Sequence, residues 1–192
     1  MRYFLLIFGI FLFFSSCQRG NGNAEPVIFY APVLIAEVVE SFPQLVENDF
    51  IYIENDLGVR IIRYIGTARD VIIPGVINNR PVTHIGAEQM GISSFAEHAL
   101  VSVVIPSSVT HIATGAFFGH GITNVIIPSS VIYIGNFAFY GNNLTNITIP
   151  NSVTYIGNFA FGQTDLSSVV IPNSVTYIGE EAFDSSVEII RQ

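Results

Sequence analysis

From about residue 71 onward, apolar and polar positions follow one another in a fixed order. A short apolar run ends at a proline: Pro106, Pro128, Pro150 and Pro172. A Val-x-x-Ile group follows each, at Val109–Ile112, Val131–Ile134, Val153–Ile156 and Val175–Ile178. An Ala-Phe pair closes each copy: Ala116-Phe117, Ala138-Phe139, Ala160-Phe161 and Ala182-Phe183. Neighbouring prolines are 22 residues apart, as are the phenylalanines, whose series reaches back to Phe95. A fixed period of this length predicts a solenoid of stacked units.

Within one copy, Ile147 and Ile149 alternate with Thr148, the period of a half-buried strand. Pro150 ends pairing because it has no N–H to donate. Ser108, Ser130, Ser152 and Ser174 never vary, and a turn hydroxyl there is expected to satisfy backbone groups that the turn leaves open. Gly135, Gly157 and Gly179 occupy one column, with Ala113 in one copy. They predict positive φ or a tight corner. The five phenylalanines should stack as a spine, with rungs about 4.8 Å apart. One unit cannot bury its apolar face alone, whereas stacked units can.

The pattern L-x-x-I-x-I-P-x-S-V-T-x-I-G-x-x-A-F over residues 71–183 resembles the BspA-like leucine-rich repeats, found widely on bacterial surfaces. Ile and Val replace most of the leucines. The resemblance implies a β-rich solenoid, a leucine-rich-repeat-like right-handed coil with 22-residue repeats. It also implies a protein-binding role, in adhesion to host extracellular matrix or to other cells. A periplasm-facing scaffold that organises envelope proteins is the alternative, and an enzyme ranks third.

Met1-Arg2 followed by the apolar run Tyr3–Phe14 is too short for a membrane-spanning helix, which needs about 20 residues. It fits the core of a signal peptide over residues 1–16. Phe14-Ser15-Ser16-Cys17 then resembles a bacterial lipobox. That resemblance implies cleavage before Cys17 and acylation of its thiol and new amine; the other reading is a plain signal peptide with an incidental cysteine. Cys17 is the only cysteine. Residues 17–26 read as a Gly-rich flexible tether.

Residues 27–70 are expected to form an N-terminal cap. Between Pro32 and Pro43, Leu34, Ile35, Val38, Val39 and Phe42 share a helical face, with Glu37, Glu40 and Ser41 opposite. A short helix covering the solenoid's end is one reading and a membrane-lying helix the other; the glutamates favour the first, since interfacial helices carry Lys or Arg. Phe50–Glu54 and Val59–Ile65 flank Asn55-Asp-Leu-Gly58, a hairpin with a four-residue loop. The first repeat carries extra residues before Val82 and between Ile85 and Phe95, and both insertions are placed on loops. Residues 184–192 read as a C-terminal cap, because Glu180, Glu181, Asp184, Glu188 and Arg191 return charge at that end.

Charge narrows the partners. The chain carries 7 Lys+Arg against 15 Asp+Glu, a net charge of −8. Between Val101 and Gly179 the sole formal charge is Asp165. Such a surface cannot neutralise phosphates, which excludes nucleic acid. No G-x-S-x-G, HExxH or phosphate-binding glycine loop occurs, and no cofactor is implied. His84 and His111 share one column and His98 and His120 another. Neighbouring imidazoles are metal candidates; against this, structural zinc sites usually show four ligands.

Two outward columns are the candidate binding faces. One is His111, Tyr133, Tyr155 and Tyr177, large amphipathic side chains of the kind favoured at interfaces. The other is Val104, Ile126, Thr148 and Val170, β-branched and uncharged. Each equally suits a self-stabilising ladder or strand propensity alone.

Overall fold

A computed structural model describes residues 6–7, 10–11, 45–47, 49–87, 95, 100–119 and 121–192. The chain divides into Met1–Phe42 and Pro43–Gln192. In the first unit, β1 (Leu6–Ile7) pairs antiparallel with β2 (Ile10–Phe11). Cys17, the tether and the expected helix before Pro43 lie outside the described residues.

The second unit opens with β3 (Leu45–Glu47), β4 (Phe50–Asn55) and β5 (Gly58–Tyr64), an antiparallel meander. The repeats follow with β6 (Asp70–Ile72), β7 (Val76–Ile77), β8 (Arg80–Ile85), β9 (Ser102–Val104), β10 (His111–Ile112) and β11 (Asn124–Ile126). They continue through β12 (Tyr133–Ile134), β13 (Tyr155–Ile156), β14 (Ser168–Ile171), β15 (Tyr177–Ile178) and β16 (Glu188–Arg191). Among the described residues there is no helix.

Two parallel ladders run along the solenoid. One joins β5, β8, β10, β12, β13 and β15; the other joins β6, β9 and β11 and resumes as β14 with β16. The polypeptide is therefore a β-solenoid, with each rung giving one short strand to each ladder. The corner after each proline is closed locally: the carbonyls of Pro106, Pro128, Pro150 and Pro172 accept from the Val three residues on at 3.0–3.1 Å.

That closure changes the role expected of the serines. Ser130 Oγ donates to Val109 O at 2.6 Å and Ser152 Oγ to Val131 O at 2.7 Å. The hydroxyl ties one rung to the preceding one instead of completing its own turn.

The spine is present. Phe95, Phe117, Phe139 and Phe161 are fully buried. Their ring centroids step by 4.9, 5.2 and 5.2 Å, and Phe183 adds a further step of 5.1 Å. Tyr64 stacks on Phe95 at 5.8 Å and Phe50 meets Tyr64 at 5.2 Å, so the hairpin covers the first rung by prolonging the stack. At the far end, β16 pairs with β14 and Gln192 N donates to Ile171 O at 3.1 Å.

Three expectations need correction. The hairpin loop has two residues, Asp56 and Leu57, because Asn55 and Gly58 themselves pair; Gly58 stands at φ 133°, and Asn55 Oδ1 accepts from Leu57 N at 2.9 Å. The insertion before Val82 is a second hairpin, β7 against β8. Its turn residues Asn78 and Asn79 stand at φ 50° and 60°, the doubly left-handed turn that matches strand twist. The second insertion falls mostly outside the described residues. Gly135, Gly157 and Gly179 are not at positive φ. A Cβ on Gly157 would lie 2.5 Å from Asn136 N and 2.7 Å from Gly135 C, so glycine serves close approach between rungs.

Candidate functional site

The first ladder sets one side chain of each rung above the last. His84, His111, Tyr133, Tyr155 and Tyr177 are in direct register. In a parallel ladder without offset, equivalent side chains must stack or splay, and these stack. His84 and His111 lie 4.6 Å apart and 9° from parallel. His111 to Tyr133 is 5.7 Å. Tyr133 to Tyr155 and Tyr155 to Tyr177 are both 4.6 Å. Tyr133 and Tyr155 are half-buried, while Tyr177 is exposed. Burial, then the flanking phenols of Tyr133 and Tyr177, hold the Tyr155 hydroxyl above its ordinary pKa.

At the N-terminal end of the column lies a cleft of about 310 Å³, lined by Arg60, His84, His111, Ala113, Thr114 and Tyr133. Arg60 was not singled out by the sequence. A register shift between Val59 and Arg60 sets it opposite His84, where it is buried and Nη1 donates to Gly86 O at 3.3 Å. Burial, then the charge of Arg60, then His111, push the His84 pKa down to about 4. Burial and Arg60 also lower His111.

The metal candidates divide. His84 and His111 come together, but among the described residues no third His, Cys, Asp or Glu joins them. A cation beside Arg60 would also be repelled. His98 and His120 lie outside the described residues.

The second ladder carries Val104 and Ile126 outward, with Val104 paired to Ile126. Thr148 and Val170 are likewise exposed. The strip is longer than its sequence signature: Ile72 pairs with Val104, and Ile190 with Val170, both exposed.

A third aromatic group went unread. Phe118 stacks on Tyr140 at 5.3 Å, Phe137 on Phe159 at 5.0 Å, and Tyr140 meets Phe137 edge-on at 5.5 Å. The repeated Asn-Phe-Ala-Phe of 136–139 and 158–161 is its signal.

Among the described residues no helix is long and apolar enough to cross a membrane. Six copies of the BspA type leucine rich repeat region match residues 86–191. A leucine-rich repeat protein from Bacteroides ovatus is similar at 27% identity and TM-score 0.63. The similarity covers 77% of this chain but 41% of that one, so this chain spans under half its length. The T. pallidum leucine rich repeat protein is similar at 30% identity and TM-score 0.64, over 76% of this chain and 69% of that one. The pneumococcal vaccine antigen PcpA shares the fold, at 17% identity and TM-score 0.50, over 76% of this chain and 48% of that one. No curated protein matches the sequence. With more than half its length matched in register by that repeat model, the chain belongs to the BspA-type leucine-rich-repeat family.

Proposed function

We propose that this is a lipid-anchored protein of the bacterial envelope whose solenoid binds protein ligands, in adhesion to host matrix or to other cells. The observation that supports it is the column His111, Tyr133, Tyr155 and Tyr177: a continuous strip of partly exposed aromatic rings. Asp165 is the only formal charge from Val101 to Gly179. Aromatic anchors with a polar tip carry much of the energy at protein interfaces. The strip Val104, Ile126, Thr148 and Val170 on the other ladder is the second candidate face.

The test is capture of matrix proteins from an extract by the full chain, compared with a variant in which Tyr133, Tyr155 and Tyr177 are all serine. A loss of about tenfold or more in affinity is expected, given about 1.4 kcal/mol per decade. Binding should depend weakly on salt, since few charges steer it. A folded variant that binds as before moves the site to the other strip. The anchor is tested apart from the ligand. Cys17→Ala should move the protein out of the membrane fraction or stall its processing, because stable anchoring takes more than one acyl chain. Unchanged fractionation, with no added mass at Cys17, overturns the anchor.

A further inference from the structure

We propose that the cleft between Arg60 and Tyr133 is a proton-coupled binding site for a carboxylate, such as an acidic side chain of a partner protein. This deepens the reading of the column as a binding face, and rests on it for the partner but not for the chemistry.

The hydrogen-bond network fixes what the two imidazoles offer. Thr110 Oγ1 donates to Thr83 O at 3.2 Å and lies 2.8 Å from His111 Nδ1. Its one hydrogen is committed to the carbonyl, so it accepts, and Nδ1 carries the proton. Thr83 repeats the arrangement, with Oγ1 donating to Val59 O at 3.4 Å and lying 2.9 Å from His84 Nδ1. In both neutral rings Nε2 is therefore a bare acceptor.

Two stacked Nε2 lone pairs invite either a metal ion or a proton. Arg60 decides between them. Its guanidinium is more than nine-tenths buried and its charge is felt at both rings, which penalises a second cation. An anion reverses that penalty. It is attracted to Arg60, and it stabilises a proton taken up at Nε2, which then donates to the anion. The described titratable or charged groups of the neighbouring strands that face these rings are Arg60 on β5, His84 on β8, His111 on β10 and Tyr133 on β12. A carboxylate suits the site because it matches the planar guanidinium with two oxygens and stays ionised above its ordinary pKa of about 4.

The probe is N-acetylaspartate amide, with N-acetylasparagine amide as its uncharged isostere and zinc chloride as the metal arm. The imidazole resonances of His84 and His111 in the full chain report binding. A saturable shift is expected with the aspartate probe alone, tightening about fourfold from about pH 7 to about pH 5 as a proton is taken up. Arg60→Gln should abolish it. Because Arg60 is buried and bonded, Thr114→Glu provides a second variant. It sets a carboxylate on the cleft wall, at a position where the repeat ending in Phe183 itself carries Glu180, and should abolish binding with the fold intact. No saturable shift, equal binding of the asparagine probe, tightening toward high pH, or saturation by zinc alone would each overturn the proposal. None of these outcomes touches capture of matrix proteins by the tyrosines.

Discussion

Phe137 and Phe159 stand at φ 55° and 56° on consecutive rungs, their rings stacked 5.0 Å apart. Bulky residues rarely occupy the left-handed region. The column holds it throughout: Gly115 is at 63° and Glu181 at 47°. The cause is a rung-to-rung bond. The amides of Gly115, Phe137 and Phe159 donate to the carbonyls of Asn136, Asn158 and Glu180 at 2.8–3.0 Å, and the turn that aims them requires positive φ.

Two phenylalanines two residues apart should therefore respond oppositely to substitution. Phe137→Gly relieves about 1–2 kcal/mol of backbone strain and gives up aromatic contacts worth about 0.5–1.5 kcal/mol each. Its net effect should stay within about 1.5 kcal/mol. Phe139→Ala empties a fully buried position and should cost about 3–5 kcal/mol. Urea unfolding midpoints compare the two. A Phe137→Gly loss as large as that of Phe139→Ala would show that the turn carries no strain to relieve.

The contrast marks what the sequence could tell. Phe139 was legible because burial repeats with the period, and a column of identical large apolar residues has nowhere to go but inward. Pro150 and Tyr155 were legible for the same reason of phase. The conformation of Phe137 was not, since no residue type announces positive φ except glycine and asparagine. Asn78-Asn79 did announce it, but sat in an insertion that broke the phase and was assigned to a loop. Arg60 was hidden more deeply: its place beside His84 depends on a register shift where the hairpin meets the first repeat strand, and alternation along β5 does not encode it.

Stability should fall in mild acid. His84 binds a proton at about 4 in the folded protein, against an ordinary 6.5. Between those values the unfolded chain holds more protons, so folding is increasingly opposed as pH drops. The contribution of His84 is fully present above about pH 6.5 and lost progressively toward about pH 4. His111, lowered for the same reasons, acts in the same direction. Because His84 is only half-buried, solvent screening reduces the effect to about 1–2 kcal/mol. Unfolding midpoints at about pH 7 and about pH 4.5 measure it. His84→Asn should flatten the dependence, and an unchanged slope in that variant would assign the acid sensitivity elsewhere.

The tyrosine ladder makes a finer prediction, because its members differ in the number of neighbours. Tyr155 lies between Tyr133 and Tyr177, 4.6 Å from each, whereas Tyr177 has a single tyrosine beside it. Each stacked pair contributes about 0.5–1.5 kcal/mol beyond the area it buries. Tyr155→Ser should thus cost about 1–3 kcal/mol and Tyr177→Ser about half of that. Both substitutions lose the same strand propensity, so the difference isolates stacking from the preference of Tyr for a pleated surface. The greater exposure of Tyr177, at 46%, pushes the difference the same way. The double variant should cost less than the sum of the two singles, since they share one stacked pair. Equal costs that add without coupling would mean the rings stack without stabilising one another. Their alignment would then have no role in holding rungs together, and the case for the column as a binding face would strengthen accordingly.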